Sequence, residues 1–498
     1  MTTQQVPSHT RGGAGRSASL IGTEAVALDR PEWASGHIPE HRRQLPLIVK
    51  EAVDRPESRL TADRLSTRSR EWGIGRWTGR LATLREEAAA IRRRTLGDLE
   101  GYLDQLQQNV EAHGGVVHRA ADADQALGAI DAIVRRHDAG MVVKSKSMVT
   151  EEIHLNEHLE KMGVDVVETD LGEYIVQVAD ERPSHIVAPA VHLSRGDVAT
   201  RFAALAGTNL GDEPQDLARF ARERLREDFH TADIGITGVN FAAADTGTLA
   251  LVTNEGNADM VMSQPKVHIA VMTVEKVIPS FDDLAVLLPL LSHAGAAQEI
   301  TVYQSLVNGP RRPGEDDGPE ELHLVILDGG RSRLLGGRYE EVLACIRCGA
   351  CQTACPVFAS VGGGHSYANV YGGPIGAVLT PLLSKRPEDR DLAYLSSLCG
   401  ACGDACPVKI PLPDMLVDLR GDYQEETSDT ATRFLWRAWS VAWSHRATHT
   451  ATRLAARAGG LLPRGVLERL PVARDWARGR ALPTTRRAGS ARRRGGRR

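Results

Sequence analysis

Residues 345–356 of this 498-residue chain read Cys345-Ile-Arg-Cys348-Gly-Ala-Cys351-Gln-Thr-Ala-Cys355-Pro356. The spacing is C-x2-C-x2-C-x3-C-P, which is typical of bacterial proteins that hold two iron–sulfur clusters. Three thiolates at intervals of three residues let one tight loop hold three corners of a cubane. The fourth cysteine points away toward a second cluster, and the proline ends the loop because it lacks a backbone N–H.

A second group of cysteines repeats this pattern with one change. Cys399, Cys402 and Cys406 precede Pro407, and counting backward by the same spacing puts Ser396 at the missing first position. Crossed ligation then predicts two [4Fe-4S] clusters with these ligands: Cys345, Cys348, Cys351 and Cys406 for the first, and Cys355, Cys399 and Cys402 for the second. The fourth corner of the second cluster is open to Ser396, water or a partner's group, or it lacks iron, which would leave a [3Fe-4S] cluster.

Zinc is the alternative metal for such a sequence, because C-x2-C pairs are common in zinc sites. Zinc prefers two separated pairs, whereas here three cysteines follow one another before an x3 cysteine and proline, so the spacing favours iron–sulfur clusters. All seven cysteines lie within residues 345–406. An odd, clustered set of thiols favours a reducing compartment, and we expect the cytoplasm, with peripheral contact at the inner face of the membrane left open.

The bulk composition is that of an ordinary globular protein, with 42% hydrophobic and 25% charged residues. No apolar run is long enough to span a membrane, and the N-terminus lacks the apolar core of a secretory signal. The net charge of -4 hides seven arginines and no acid in residues 486–498. We interpret this end as a solvated tail and expect no nucleic-acid partner.

Four zones follow from the pattern along the chain, and together they predict an α/β plus α fold. Residues 1–80 form an Arg-rich, partly disordered extension, residues 81–335 an α/β domain, residues 336–425 a helical two-cluster domain, and residues 426–498 a helical segment with a basic tail. The α/β prediction rests on helical stretches that alternate with short β-rich runs. These runs are GGVVHRA (114–120), MVVKS (141–145), VDVVET (164–169), ADIGITGVNFA (232–242), GTLALVTN (247–254), VHIAVMTV (267–274) and LHLVILD (322–328).

Three tryptophans mark the start of the last zone. Trp436, Trp439 and Trp443 are spaced i, i+3 and i+7, which predicts one aromatic face of a helix. Packing in a core, docking of a partner protein and shallow membrane contact are the three interpretations of this face.

Long stretches of the chain resemble the lactate utilization protein B family (LutB, also called LldF). The matching segments are 144–177, 183–195, 232–260, 345–358, 372–383 and 396–414, in order over about residues 80–425. Family members also have serine where this chain has Ser396. Residues 362–374 and the first 80 residues depart from the family pattern. The basic end replaces a better-defined family tail, which puts partner docking in doubt.

The resemblance implies a role in oxidising L-lactate to pyruvate within a complex of three proteins. The implied partners are a second cysteine-rich iron–sulfur protein and a smaller protein that shares the α/β domain type. It also implies that residues 81–335 form the lactate-utilisation (LUD) domain, similar to the fold of sugar-phosphate isomerases and coenzyme A transferases.

The α/β domain carries residues suited to bind a small anion. Two lysines follow a predicted strand, just before plausible caps of the next helix, and a helix N-terminus with ammonium groups favours carboxylate or phosphate. The predicted anion site comprises Lys144, Lys146, Asn240, Thr246 and Gly247. The alternative is that these residues, with Asp245 and 255–257, only cap helices and form turns.

Three histidines are further candidates. His185 and His192 lie close to Pro189 and are suited to orient an acid or a metal, although packing is the simpler interpretation. His365 lies between the cysteine groups, within reach of a cluster by hydrogen bonding.

The sequence offers no G-x-G-x-x-G after a first strand and no Walker loop. Oxidation of a hydroxy acid removes two electrons, whereas each cluster carries one, so the residues favour an electron relay that depends on partners. A self-sufficient hydroxy-acid dehydrogenase and a redox-sensing or scaffolding iron–sulfur protein are the competing hypotheses.

Overall fold

A computed structural model describes Val49, 53–54, Leu60, 63–67, Glu71, 73–367, 369–384, 386–428 and 430–459. Most of the predicted N-terminal extension and the arginine tail lie outside these residues. Two compact units divide the chain, the first extending to Arg420 and the second beginning at Gly421. The α/β and cysteine-bearing segments share the first unit, so the domain boundary at residue 336 stays a prediction.

A six-stranded parallel sheet forms the centre of the first unit, in the order β1-β10-β7-β4-β2-β3. A smaller sheet, in the order β8-β5-β6-β9, lies beside it. The strands are β1 Val116–Ala120, β2 Met141–Lys144, β3 Asp165–Glu168, β4 Ile234–Gly238, β5 Phe241–Ala243, β6 Thr248–Thr253, β7 Val267–Thr273, β8 Val277–Ile278, β9 Tyr303–Val307 and β10 Glu321–Leu327.

Helices of the first unit cover its sheets and fill the connections between strands. The α-helices are α1 Arg80–Gly97, α2 Leu99–Ala112, α3 Ala123–Arg136, α4 Met148–Glu152, α5 Leu155–Lys161, α6 Leu171–Ala179, α7 Arg195–Ala206, α8 Pro214–Thr231, α9 Asn257–Ser263, α10 Leu284–Ala296, α11 Ala350–Ala354, α12 Pro356–Ser360, α13 Gly373–Ser384, α14 Ala401–Ala405, α15 Leu412–Thr427, α16 Thr430–Ser444 and α17 Arg446–Gly459. Short 3-10 helices cover Val274–Lys276, Phe281–Asp283, Ser332–Leu334, Glu340–Ala344, Gly364–Tyr367 and Pro387–Tyr394.

The central strands are apolar on both faces because helices or the second sheet cover each side. Along β7, Val267, Ile269 and Val271 pack with α3, α4 and α5 on one face. The alternate residues Ala270 and Met272 pack with α2 and the small sheet on the other. This arrangement confirms the predicted α/β fold with a parallel central sheet.

The second unit contains α16 and α17. Trp436 and Trp439 stand with ring centroids 5.8 Å apart, and Trp439 and Trp443 5.9 Å apart, so the three rings share one helix face as predicted. All three side chains are exposed. Within the part of the chain that the structure describes, no helix is both long and apolar enough to cross a membrane.

Candidate iron–sulfur site and adjacent cavity

The two cysteine loops have the same backbone form. Each contains a non-glycine residue with positive φ, Arg347 at 61° and Leu398 at 55°, followed two residues later by a glycine with positive φ, Gly349 at 77° and Gly400 at 87°. Each glycine precedes a five-residue helix, α11 or α14. The second loop is therefore a structural repeat of the first.

Ser396 occupies the position in this repeat that Cys345 holds in the first loop. The N–H of Arg347 donates to Cys345 Sγ over 3.4 Å, and the N–H of Leu398 donates to Ser396 Oγ over 3.1 Å. An oxygen has thus replaced a sulfur within an unchanged turn.

The thiols gather in two sets around two separate cavities. The first cavity is lined by Cys345, Cys348, Cys351 and Cys406 together with apolar side chains, and the second by Cys355, Cys399 and Cys402 together with Ser396. These are the sets that crossed ligation predicts. Among the described residues, no three His, Cys, Asp or Glu side chains converge closely enough to hold a single metal ion.

The donor chemistry of both sets fits iron–sulfur clusters. Burial raises the pKa of Cys402 to about 12 and that of Cys406 to about 11. Enclosed thiols that repel one another as thiolates are stabilised when cationic iron binds them. Backbone N–H groups, such as that of Ile410, which lies 3.3 Å from Cys406 Sγ, are placed to donate to the sulfurs.

Cys399 differs from the other six cysteines because it is exposed. The N–H of Ala401 and the hydroxyl of Ser397 lower the pKa of its thiol. The first thiol set is therefore enclosed by protein, whereas the second reaches the surface at this corner.

The first helix of the α/β domain holds the second loop in place. Arg85 donates from Nε to the carbonyl of Cys406 over 2.8 Å and from Nη2 to the carbonyl of Gly403 over 3.0 Å. Trp77 Nε1 donates to the carbonyl of Asp404 over 2.8 Å. These donors add side-chain hydrogen bonds to carbonyls at the C-terminal end of α14, where a helix leaves its last C=O groups without full intrahelical pairing.

A buried ionic network joins the sheet to the first cysteine loop. Glu275, in the 3-10 helix that follows β7, accepts from Arg331 Nε over 3.2 Å and from Arg347 Nη2 over 2.8 Å. Arg331 also binds both oxygens of Glu152, over 2.9 and 2.7 Å. Tyr371 donates to Glu152 over 2.6 Å, and the Arg347 guanidinium lies 4.7 Å from the centroid of its ring. The loop is thereby fixed against the carboxyl edge of the sheet.

A cavity of about 310 Å³ opens at that edge, where the loops after β2, β4 and β7 meet. Ligands of open α/β sheets commonly bind at this edge. Its wall includes Lys146, Asn240 and Lys276 from the α/β domain and Arg347 and Tyr371 from the cysteine-bearing segment.

Comparison with known proteins identifies both halves of the first unit. Residues 103–327 match the LUD domain family, and residues 341–410 match the 4Fe-4S dicluster domain family. Lactate utilization protein B from Shouchella clausii (strain KSM-K16) is 48% identical over 78% of this chain and 80% of its own length. The protein of the same name from Lysinibacillus sphaericus (strain C3-41) is 47% identical over 74% of this chain and 76% of its own length. This chain belongs to the lactate utilization protein B family.

Membership of that family confirms the resemblance seen in the sequence and the presence of an iron–sulfur cluster domain. Among solved structures, a DUF162 family protein from Deinococcus radiodurans aligns over 46% of this chain and 98% of its own length, with 14% identity and a TM-score of 0.27. That likeness is too weak to carry a structural argument.

The structure does not bring the five predicted anion-site residues together. Lys144 is buried, and its Nζ lies 2.6 Å from Glu168 and 3.2 Å from Glu151. Although burial alone lowers it, these carboxylates raise the pKa of Lys144 above its usual value. Its ammonium therefore serves an internal ion pair.

Thr246 and Gly247 lie in the turn between β5 and β6, which is not part of the cavity wall. A Cβ on Gly247 would stand 2.8 Å from the backbone of Asn109, so this glycine permits close packing against α2. Lys146 and Asn240 do line the cavity. Lys146 also pairs with Glu173 over 3.1 Å.

The cavity contains functional candidates that sequence reasoning missed, namely Lys276 and Arg347. Arg347 lies inside the quoted cysteine motif, and Lys276 follows a predicted strand at the edge where ligands bind. Only the folded chain shows that these two positions meet.

Two of the candidate histidines have partners within the fold. His185 is buried, its Nδ1 accepts from the N–H of Val187, and its Nε2 lies 3.1 Å from Thr353 Oγ1. Burial and the nearby Lys146 lower the pKa of His185 to about 3, so it is neutral. His192 Nε2 lies 2.8 Å from Glu181. The side chain of His365 lies outside what the structure describes.

Proposed function

We propose that this protein is the iron–sulfur electron-transfer subunit of a complex that oxidises L-lactate to pyruvate. The observation that carries the proposal is the pair of thiol sets on repeated loops, in a chain that belongs to the lactate utilization protein B family. Oxidation of lactate to pyruvate releases two electrons and two protons. Two clusters together accept two electrons one at a time, while the bond chemistry falls to a partner.

The proposed cofactors are a [4Fe-4S] cluster on the first thiol set and a second cluster on Cys355, Cys399 and Cys402. For the second, Ser396 occupies the fourth corner, which the hydrogen bond from Leu398 supports. When bound, the clusters supply one-electron redox chemistry. The protein contributes buried thiolates, N–H donors to sulfur and exclusion of water from the first set.

The proposed partners are a second cysteine-rich iron–sulfur protein and a smaller protein with the same α/β domain type. Exposure of Cys399 favours the second set as the place where electrons pass between this chain and a partner. The free thiols of all seven cysteines are in keeping with a reducing compartment, the cytoplasm.

The test reconstitutes the clusters anaerobically in the full chain and adds L-lactate with and without the partner proteins. We expect cluster reduction by lactate only when the partners are present. Cys351→Ala should abolish lactate-dependent electron flow, whereas Ser360→Ala, an exposed hydroxyl on α12, should leave it unchanged. Normal electron flow through the Cys351→Ala protein would refute the relay.

A further inference from the structure

The wall of the sheet-edge cavity contains polar atoms that nothing in the fold satisfies. Arg347 Nη1, Gln298 Oε1 and Thr301 Oγ1 are buried and have no hydrogen-bond partner among the described residues. The side chain of Arg347 is only 7% exposed. Leaving a buried donor or acceptor unpaired is destabilising, because the group has lost its hydrogen bonds to water. Three such atoms on one wall indicate a ligand that supplies both acceptors and donors.

Lys276 adds a positive charge to the same wall. It has neither a hydrogen bond nor an ion pair with any residue that the structure describes, and it follows Glu275, whose carboxylate is committed to the two arginines. Burial and the neighbouring Arg347 lower the pKa of Lys276 to about 8, which leaves most of it charged at neutral pH. An ammonium group that faces a cavity without a carboxylate partner favours an anionic ligand.

The two acidic residues of the wall form no ion pair with Lys276, and each accepts backbone N–H groups instead. Asp170 caps α6 by accepting from the N–H groups of Gly172 and Glu173, and Glu255 accepts from the N–H of Leu171. Lys146 on the same side is paired with Glu173. The positive groups of the wall that remain available are therefore the Lys276 ammonium and Nη1 of Arg347, whose Nη2 already binds Glu275. This charge matches a monoanion better than a dianion such as phosphate.

We propose that this cavity binds a small 2-hydroxy or 2-oxo monocarboxylate. The carboxylate pairs with Lys276 and Arg347. The oxygen on the second carbon accepts from the Thr301 hydroxyl, and the hydroxyl of a 2-hydroxy acid also donates to Gln298 Oε1. Apolar residues of the wall, such as Val149, accommodate a short alkyl group. The inference rests on the proposed function only for the choice of lactate and pyruvate as ligands to test.

The position of the cavity couples such a ligand to the first thiol set. Arg347 and Ile186 line both the cavity and the space between Cys345, Cys348 and Cys406, so they form the wall that separates the two. Reduction of a cluster there adds negative charge and weakens binding of an anion next door. By reciprocity, the bound anion must lower the reduction potential of that cluster.

The experiment measures binding, not turnover. Pyruvate, L-lactate and inorganic phosphate are each titrated by calorimetry into the full, cluster-loaded, oxidised chain under anaerobic conditions. We expect pyruvate or lactate to bind, phosphate to bind at least tenfold more weakly, and Lys276→Gln to weaken carboxylate binding at least tenfold. Lys276→Arg should restore part of the affinity, and Lys266→Gln, an exposed lysine just before β7, should change nothing.

A second readout follows the first cluster itself. A tenfold lower affinity of the reduced chain for pyruvate corresponds to a 59 mV fall in potential on saturation with pyruvate, measured by redox titration with electron paramagnetic resonance. Absence of carboxylate binding, preference for phosphate, or unchanged affinity in the Lys276→Gln protein would each overturn the inference. Binding of pyruvate is independent of electron transfer through the clusters. The ligand proposal and the proposed function can therefore fail separately.

Discussion

Replacing Glu275 by glutamine removes the one carboxylate that Arg331 and Arg347 share. Glu275 and Arg331 have fully buried side chains, and Arg347 is nearly so. The isosteric amide keeps the volume but loses the charge, and its NH2 group faces an arginine. Removing one member of a buried ion pair costs about 3–5 kcal/mol because the partner charge stays buried. Arg331 keeps Glu152, so we expect the lower half of this range.

The effect should be independent of pH over the neutral range. Burial raises the pKa of Glu275, but Arg331 and Arg347 outweigh it and lower the pKa to about 2, from an ordinary 4.5. A depressed pKa stabilises the fold above the unfolded value and loses that contribution as the pH falls toward the folded value. The stabilisation is therefore complete above about pH 5 and disappears between about pH 4.5 and 2.

The assay is thermal unfolding of the cluster-loaded chain at pH 7, in which a loss of 3 kcal/mol lowers the midpoint of a unit of this size by roughly 3–4 °C. The matched control is Glu321→Gln, whose partly exposed carboxylate pairs with Arg136 at the surface. A surface pair is worth about 0–1 kcal/mol, so its midpoint should barely move. Equal midpoints for the two variants would refute the network as a source of stability.

Three further predictions concern the cluster loops and the sheet. Cys402→Ala should lose the second cluster and keep the first, and Cys351→Ala the reverse, so each should retain roughly half of the iron measured in the wild type; simultaneous loss of both clusters would contradict separate thiol sets. Ser396→Cys should change the spectrum of the second cluster only, and an unchanged spectrum would mean that position 396 is no ligand position. Gly235→Ala should destabilise the first unit by about 1–3 kcal/mol, because its Cβ would stand 1.9 Å from the Val261 carbonyl, whereas Gly128→Ala in α3 meets no atom and should be neutral or stabilising.

The strands and the thiol sets were predictable because their signals are local. Each β-rich run carries its own apolar pattern, and the seven runs coincide with strands of the two sheets. The cysteine spacing similarly contains the crossed assignment, since the position of Ser396 follows by counting along the chain. The second sheet was not foreseen, because nothing local shows that residues 232–242 leave one sheet after β4 and enter another at β5.

Helix breaks and the cavity were harder to predict because they depend on single backbone angles and on contacts distant in sequence. The helical run after residue 80 ends at Gly97 and restarts at Leu99, and His154, with φ of 53°, separates α4 from α5. Lys144 has every local feature of an anion ligand, yet Glu168 from the adjacent strand binds it. Lys276 follows a predicted strand, but only the fold shows that it lines the cavity and has no ion-pair partner among the described residues.

The central claim is that this chain carries electrons and relies on a partner to oxidise lactate. The most direct test adds L-lactate alone to the cluster-loaded chain under anaerobic conditions and follows the clusters by electron paramagnetic resonance. The account predicts no reduction by lactate but ready reduction by dithionite. Reduction by lactate alone would contradict it and would assign the oxidation itself to this chain, with the sheet-edge cavity as the reacting site.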